Sequence, residues 1–279
     1  MSAVDNKRFG RYFRLTIGSG ATAIIVEPPF RFSFSGTKSS TGILNNLNGK
    51  LYGLSRARKL LLVKEEGGPE VVQVQLEVGY KGASELIFKG TLYRGQISRQ
   101  GPELINEFEC KDGGIDFAQS FVNAAVKSPR EAVNAVLASA PNTTEGKITE
   151  LGQLLRPKIV VGNGFDVIQR MLKPGESWYI DNEQLFIVKE NEVVAEFAPV
   201  VSAQTGLLNT PVIDKKLVTF DTVMNPALKV SHLCSLQSTT APYLSGLYKL
   251  LTIQYTGDSQ GPDWTMKCTG MLATDYKVI

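Results

Sequence analysis

Short stretches in which apolar and polar residues alternate dominate both ends of this chain. Phe30, Phe32 and Phe34 alternate with Arg31 and Ser33. Further along, four aliphatic residues alternate with Gln and Glu: Val72, Val74, Leu76 and Val78. Successive side chains of a strand point to opposite faces, so this pattern predicts strands with one buried face. Because glycine turns separate the stretches, the chain is expected to build a β-barrel or a β-sandwich.

The remaining predicted strands fall into two blocks with a mixed segment between them. The first block adds residues 11–17, 24–26, 86–97 and 104–108. The second block comprises residues 217–223, 233–237, 247–255 and 264–272. Between the blocks, residues 159–161 predict a buried strand, and residues 178–180 and 185–188 predict a hairpin.

Helical signals are confined to the middle of the chain. Residues 117–126 carry apolar side chains at helical spacing, and residues 148–155 and 166–172 predict two further short helices. Ser128, Pro129 and Glu131 predict a capping box, in which the serine accepts from the amide of Glu131 and Glu131 reaches back to the serine amide. The predicted fold class is therefore mainly β with an α/β insert (α+β).

Composition excludes several classes of function. The chain has 30 Lys and Arg against 27 Asp and Glu, and a net charge of +3 does not predict a nucleic-acid-binding surface. His232 is the one histidine, which argues against a hydrolase with a histidine base and against a multi-histidine zinc site. Cys110, Cys234 and Cys268 are interpreted as small buried residues in a reducing compartment. No apolar run is long enough to span a membrane, and no secretory signal is found.

The two β blocks end alike. Gln100-Gly101-Pro102 precedes an alternating stretch that ends near Cys110, and Gln260-Gly261-Pro262 precedes one that contains Cys268. Each pattern predicts a long hairpin with a polar Gly-Pro turn. Chance similarity is the alternative, since Gly-Pro turns are common. Duplication predicts two copies of a small barrel with an α/β insert between them.

Candidate sites for chemistry are few. Gly162-Asn163-Gly164 before a short helix is similar to the start of a dinucleotide-binding loop, but the third glycine is missing, so a plain turn into a helix is favoured. Three acidic pairs are expected to be solvated rather than catalytic: Glu65 with Glu66, Asp181 with Glu183, and Glu190 with Glu192. A basic cluster is expected either to form a patch or to protect a strand edge: Arg56, Arg58, Lys59 and Lys64. No catalytic, cofactor-binding or metal-binding residue is predicted.

A series of motifs in the last third of the chain resembles a known family. Residues 206–211 (GLLNTP) precede residues 217–220 (LVTF), and residues 224–230 (MNPALKV), 246–249 (GLYK) and 255–259 (YTGDS) follow before Asp263-Trp264. In this order they resemble the last domain of bacteriophage baseplate hub proteins, the late-control family, which is related in fold to the base of the type VI secretion spike.

The resemblance extends toward the N-terminus and covers about residues 30 to 273. Residues 49–54 (GKLYGL), 76–82 (LEVGYKG) and 88–91 (FKGT) match the hairpin region of the family. Val230-Ser231-His232 departs from it, because many relatives carry a glycine there. The motifs are structural rather than catalytic.

The resemblance implies two tail-tube-like β-barrel domains, at residues 1–115 and 202–279, flanking a mixed α/β domain at residues 116–201. It implies a homotrimeric structural hub without cofactors, which joins a three-fold tail spike to a six-fold tail tube around an axial channel for tape measure and DNA. Expected partners are the spike or cell-puncturing protein, the tail-tube or tube-initiator protein, the tape-measure protein and the baseplate wedge proteins. No membrane insertion and no sequence-specific nucleic-acid binding are expected.

The expected location is the virion tail, after assembly in the host bacterial cytoplasm. Alternatives are a tail-tube initiator or another tail-tip adaptor, a tail-associated peptidoglycan hydrolase, for which no spare segment is found, and a nucleotide-binding enzyme that uses Gly162-Asn163-Gly164.

Overall fold

The computed structural model describes residues 10–20, 23–66, 68 and 70–279. Residues 1–9 of the predicted first domain lie outside this part of the chain. In chain order, the first elements are β1 (Arg11–Ile17), β2 (Ile24–Val26), β3 (Phe32–Ser39), β4 (Asn46–Tyr52), α1 (Arg56–Leu60), β5 (Gln73–Tyr80), β6 (Ala83–Gln100) and β7 (Glu103–Lys111). The middle elements are α2 (Gly114–Gln119), β8 (Phe121–Val126), α3 (Pro129–Ser139), β9 (Thr144–Ile148), β10 (Lys158–Asn163), α4 (Gly164–Met171), β11 (Glu176–Asp181), β12 (Gln184–Lys189) and β13 (Glu192–Val193).

The last elements are β14 (Val200–Ser202), β15 (Val212–Asp214), β16 (Leu217–Val223), β17 (Leu233–Gln237), a 3-10 turn (Pro242–Leu244), β18 (Gly246–Asp258), β19 (Trp264–Leu272) and β20 (Lys277–Val278). The predicted strands of both β blocks are therefore confirmed. No helix in the described residues has the length and apolar character needed to cross a membrane.

One large, mostly antiparallel sheet joins the two β blocks. Its strands follow the order β15-β16-β19-β18-β3-β4-β7-β6-β5-β1-β2, with β17 beside β18 and β14 beside β17. The prediction of a mainly β protein with small α/β parts is confirmed. In the described residues, however, the strands follow an open path, and no closed barrel is seen.

Five strands of the first block and five of the second pair in the same order. The first set is β3-β4-β7-β6-β5, the second is β15-β16-β19-β18-β17, and every pairing in both sets is antiparallel. Cys110 lies opposite Leu47, as Cys268 lies opposite Phe220. The two Gly-Pro hairpins, β6–β7 and β18–β19, thus occupy corresponding places in the two sets.

One face of the large sheet is a continuous apolar core. Phe32 is fully buried, and the centre of its ring lies 5.2 Å from that of Phe13, 5.3 Å from that of Phe34 and 6.1 Å from that of Phe108. The predicted buried faces are confirmed at their centres, because Val74, Leu76 and Val78 of β5 are also fully buried. At the margins, Phe30 and Val72 precede their strands and are only partly buried.

The mixed segment has its own core and corrects two helix predictions. Residues 117–126 were expected to form one helix, but α2 ends at Gln119 and β8 follows it. In β8, Val122 and Val126 are buried while Asn123 and Ala125 are exposed, which is the alternation of a strand. β8 pairs with β10. Because apolar residues at those positions fit either period, the pairing with β10 decides the outcome. Residues 148–155 are not helical either, since β9 lies parallel to β12 and irregular chain follows.

The remaining predictions for this segment are largely confirmed. Ser128 accepts a hydrogen bond from the Glu131 amide at 3.2 Å. The Glu131 carboxylate, however, accepts from the Lys127 amide at 2.6 Å and not from that of Ser128. The predicted hairpin is β11–β12, and the short helix is α4. Of the strand predicted at residues 159–161, only Val160 is buried.

Candidate assembly surfaces

A seven-residue junction joins the two β blocks within one chain. Ser33–Ser39 of β3 pairs with Thr252–Asp258 of β18 in antiparallel register. At one end, Arg31 donates to the Asp258 carboxylate at 2.9 Å, and the Phe32 amide donates to Ser259 Oγ at 3.0 Å. The junction uses only the second half of β18, because β17 pairs with its first half.

β6 holds the place in the first set that β18 holds in the second, but no strand lies beside β6 as β3 lies beside β18 among the described residues. β5 covers β6 from Ala83 to Thr91, and beyond that Lys64 bridges to Gly95. No strand of the described residues pairs with this side of β6 past Gly95. Exposed apolar side chains lie on β6, on β7 and in the segment before Lys64: Ile97, Leu104, Leu60, Leu61 and Val63. We call this surface the β6 edge.

β15 holds the place in the second set that β3 holds in the first, and its outer edge is also uncovered among the described residues. β15 pairs only with β16 among the described residues, and all three of its residues are exposed. Val212 is 64% and Ile213 50% exposed, and Leu208 and Leu217 are exposed beside them. We call this surface the β15 edge. Unpaired strand edges with exposed apolar side chains are sites at which another chain can add.

The face of the sheet opposite the core is hydrophilic along its middle. The registers place on it Ser33, Ser35, Thr37, Asn46, Asn48, Lys50, Arg94, Gln96, Glu107, Glu109, Thr219, Asp221, Thr252, Gln254, Thr256, Thr265, Lys267 and Thr269. We call these side chains the polar face. They are hydroxyls, amides and charges, and apolar side chains such as Val223 and Ile105 share this face only toward the strand ends.

The charges of the polar face are matched across neighbouring strands. Lys50 Nζ lies 2.8 Å from Glu107 Oε1. Arg94 Nε lies 2.8 Å from Glu109 Oε2, and Lys267 stands opposite Asp221 in register. Each positive charge therefore has a negative neighbour, so the polar face carries no net charge from these residues.

A buried polar network attaches the β11–β12 hairpin to the large sheet. Lys38 of β3 forms an ion pair with Asp181, and Lys89 Nζ of β6 lies 2.7 Å from Glu183 Oε2. Asp112, just after β7, accepts from the amides of Asn182 at 2.6 Å and Glu183 at 2.8 Å. The network holds the mixed segment against three strands of the sheet.

These contacts correct the expectation that the acids at 181 and 183 are solvated. Glu183 is buried, and burial raises the pKa of Asp112 to about 7. Glu192 is also buried and accepts from Thr149 Oγ1 at 2.8 Å. The sequence-based prediction missed this role, because the position of an acid near a turn does not reveal whether that turn packs against a sheet.

Another expectation about acids agrees with the structure: Glu65, Glu66 and Glu190 are exposed.

The Gly162-Asn163-Gly164 loop is a helix cap. Asn163 Oδ1 accepts from the amides of Phe165 at 3.0 Å and Asp166 at 3.4 Å, so the side chain already occupies the amide groups that a phosphate would use. A Cβ on Gly164 would lie 2.8 Å from Ser120 Oγ and from Val136 Cγ1, so this glycine serves close packing.

The other candidate residues have structural contacts. All three cysteines are free and buried, and burial raises the pKa of Cys234 to about 12. His232 Nδ1 lies 2.9 Å from the Val230 carbonyl oxygen, and burial lowers the pKa of this ring. Arg58, Lys59 and Lys64 lie beside the β6 edge, and the Arg56 side chain is outside the described part of the molecule. In that part, no cluster of His, Cys, Asp or Glu could hold a metal ion.

The family model described as baseplate hub gp41 matches residues 14–270. Among curated proteins, none has a sequence that matches this chain.

Solved structures share the fold at very low sequence identity. A 43 kDa tail protein of prophage MuSo2 from Shewanella oneidensis is 8% identical, with a TM-score of 0.65 over 93% of this chain and 97% of its own. A tail protein from Neisseria meningitidis MC58 is also 8% identical, with a TM-score of 0.61 over 94% and 97%. The Escherichia coli c3393 protein, described as a type VI secretion component similar to the T4 tail proteins gp27 and gp5, is 9% identical, with a TM-score of 0.65 over 94% and 78%.

Proposed function

This chain belongs to the baseplate hub gp41 family, a structural family of phage tail proteins and not an enzyme family, and on that premise we propose that three copies close a ring at the centre of the tail. The ring joins a three-fold spike to a six-fold tube. The observation that carries the proposal is the repeated strand order together with two uncovered edges. A chain with two equivalent units supplies six units from three copies, so it can match both symmetries.

The two units are proposed to be tube-like domains at residues 1–115 and 202–279, with the mixed domain at residues 116–201 between them. The repeat of four pairings among five strands supports this division, because it falls on either side of the mixed segment. The mixed domain has no counterpart in either set of strands. It is therefore expected to lie outside the ring of tube-like units.

Ring closure is proposed to repeat the junction seen inside the chain. Within one chain, β18 of the second unit meets β3 of the first. The corresponding strands are β6 and β15, so the β6 edge of one copy would meet the β15 edge of the next. Joining them would cover the exposed apolar side chains of both edges, and closing the ring would leave neither edge free. An obligate interface of this kind is expected to exceed about 2,000 Å² in total.

The polar face is proposed to line the axial channel. The opposite face is the apolar core, so only the polar face can border water across the width of the sheet. Hydroxyl and amide side chains with internally matched charges offer no strong attraction to a passing chain of either sign. Such a wall suits the passage of both the tape-measure protein and DNA, which is the transport role proposed for the channel.

The proposed partners follow from the two ends of the ring. A trimeric spike or cell-puncturing protein would bind one end, a tube or tube-initiator protein the other, and wedge proteins the outside. The chain would act in the virion, after assembly in the host cytoplasm.

The test is the copy number and symmetry of this chain in the particle, measured by electron cryo-microscopy. Three copies around the tail axis, with β6 of one copy beside β15 of the next, are expected. Six copies, or one copy away from the axis, would overturn the proposal.

Edge variants give a second test. Ile213→Lys should block ring closure and yield particles that lack this chain, while the free energy of unfolding of the isolated chain changes by less than about 0.5 kcal/mol, because the side chain is exposed. Thr144→Lys, at an exposed position of the mixed domain, is the control and should assemble normally.

A further inference from the structure

β8 and β10 form a two-stranded ribbon in the mixed domain, and its outer face carries three large apolar side chains beside the exposed Asn123. The inner face is buried on the second core through Val122, Val126 and Val160. On the outer face, Phe121 is 61%, Ile159 77% and Val161 48% exposed. Exposed apolar side chains grouped on one face mark a surface for another molecule.

The outer edge of β10 has backbone groups directed away from β8. Arg170 Nη2 donates to the Val161 carbonyl at 3.0 Å from outside the ribbon. In an antiparallel pair, alternate residues direct their backbone groups outward, so Ile159 and Val161 share this edge. Among the described residues, β10 pairs only with β8. An added strand could therefore bond to the outward groups of Ile159 and Val161, because Arg170 uses only one of the two lone pairs of the Val161 carbonyl.

Positive charge lies at one end of the ribbon. Lys158 pairs in register with Val126, which places Lys127 beside it, and Arg156 stands two residues before Lys158. All three basic side chains are exposed, and in the described part of the chain none of them forms an ion pair with a carboxylate. An acidic segment would complement this end.

We propose that the ribbon binds an extended, acidic segment of a different tail protein, which adds as a strand beside β10. Its alternate apolar side chains pack on the exposed side chains of Phe121, Ile159 and Val161, and its acidic residues meet Arg156 and Lys158. Main-chain bonds supply affinity in this mode, and the side chains supply specificity. The inference rests on the proposed function only in taking the partner to be another tail protein, since the ribbon belongs to neither repeated unit and is not needed to close a ring.

A photo-crosslinking residue placed at position 161 tests the proposed contact with the added strand. The variant chain is examined after it has been incorporated into whole particles. Mass spectrometry should recover one segment of a different tail protein, with alternating apolar residues and at least two acids. The same residue at position 147, exposed on β9, is the control and should not recover that segment. A crosslink to a second copy of this chain, to a segment without acids, or no crosslink in complete particles would overturn the inference.

Charge reversal tests the specificity. Particles that carry the double variant Arg156→Glu/Lys158→Glu should contain at least tenfold less of the partner protein identified by crosslinking. Particles that carry Lys147→Glu should contain the normal amount. Circular dichroism and Trp178 fluorescence should be unchanged in both, since these side chains are exposed. Equal retention by the two variants would contradict the proposed acidic partner.

The two proposals fail separately. Three axial copies with an unoccupied ribbon would refute this inference alone. A chain that is not axial but crosslinks at position 161 would refute the ring alone.

Discussion

Replacing Phe32 by alanine tests whether the alternation of phenylalanines builds the core of the large sheet. Its side chain is fully buried and its ring neighbours three others, those of Phe13, Phe34 and Phe108. Phe→Ala changes in protein cores cost about 3–5 kcal/mol, and each aromatic pair adds about 0.5–1.5 kcal/mol beyond burial. We expect Phe32→Ala to lower the free energy of unfolding by about 4–5 kcal/mol and Tm by about 10 °C.

The assay is urea unfolding of the isolated chain, followed by circular dichroism and tryptophan fluorescence. Trp264 stands edge-on to Phe34, with 5.7 Å between ring centres, so it reports on this core. A Trp178→Phe background removes the signal of the second core. Phe30→Ala is the matched control, because Phe30 precedes β3 and is only partly buried, and we expect it to cost about 1 kcal/mol. Equal losses for the two variants, or less than about 1 kcal/mol for Phe32→Ala, would refute the reasoning.

Three further changes probe other parts of the fold by the same unfolding assay. Gly257→Ala should cost about 1–3 kcal/mol, because the new Cβ would lie 2.4 Å from the ring of Phe34; an unchanged stability would contradict that packing. Lys38→Met should cost about 3 kcal/mol by leaving the largely buried Asp181 carboxylate without its cation, whereas Lys38→Met/Asp181→Leu should recover most of the loss, and no recovery would argue against the pair. Burial raises the pKa of Asp112 from its ordinary 3.8 to about 7, so its contribution to stability is fully present below pH 3.8 and is lost as the pH rises through 7. Between pH 3.8 and pH 7, the wild type should therefore lose stability relative to Asp112→Asn. A difference in stability that does not depend on pH would be the contrary result.

Much of the local structure was predictable from residue patterns. The strands at Arg11–Ile17, Leu217–Val223 and Trp264–Leu272 have the predicted bounds, because each alternates between a buried and a less buried face. The Ser128 cap and the burial of the three cysteines were predictable for similar reasons, since a cap depends on four neighbouring residues and a cysteine among apolar residues is most often buried. The similarity of the two Gly-Pro hairpins also anticipated the repeated strand order.

The polar network and the ribbon were not visible in the sequence. Glu183 and Asp181 looked like turn residues, and only the packing of β11–β12 on the sheet buries Glu183 beside Lys89 and pairs the partly buried Asp181 with Lys38. Phe121 and Val126 fitted a helix as well as a strand until β10 supplied a pairing partner. In both cases the deciding neighbour is far away along the chain.

The amino-acid sequence by itself determined most of the strands in the two β blocks, which face of each of these strands is buried and where their hairpins turn. Those properties depend on side chains a few residues apart, whose order along the chain is their order in space. Tertiary structure alone decided that β3 pairs with β18, more than two hundred residues away, and that the β6 and β15 edges stay uncovered. Strand pairing is made by backbone N–H and C=O groups, which are the same in every non-proline residue, so the choice of partner comes from how all the buried faces pack together.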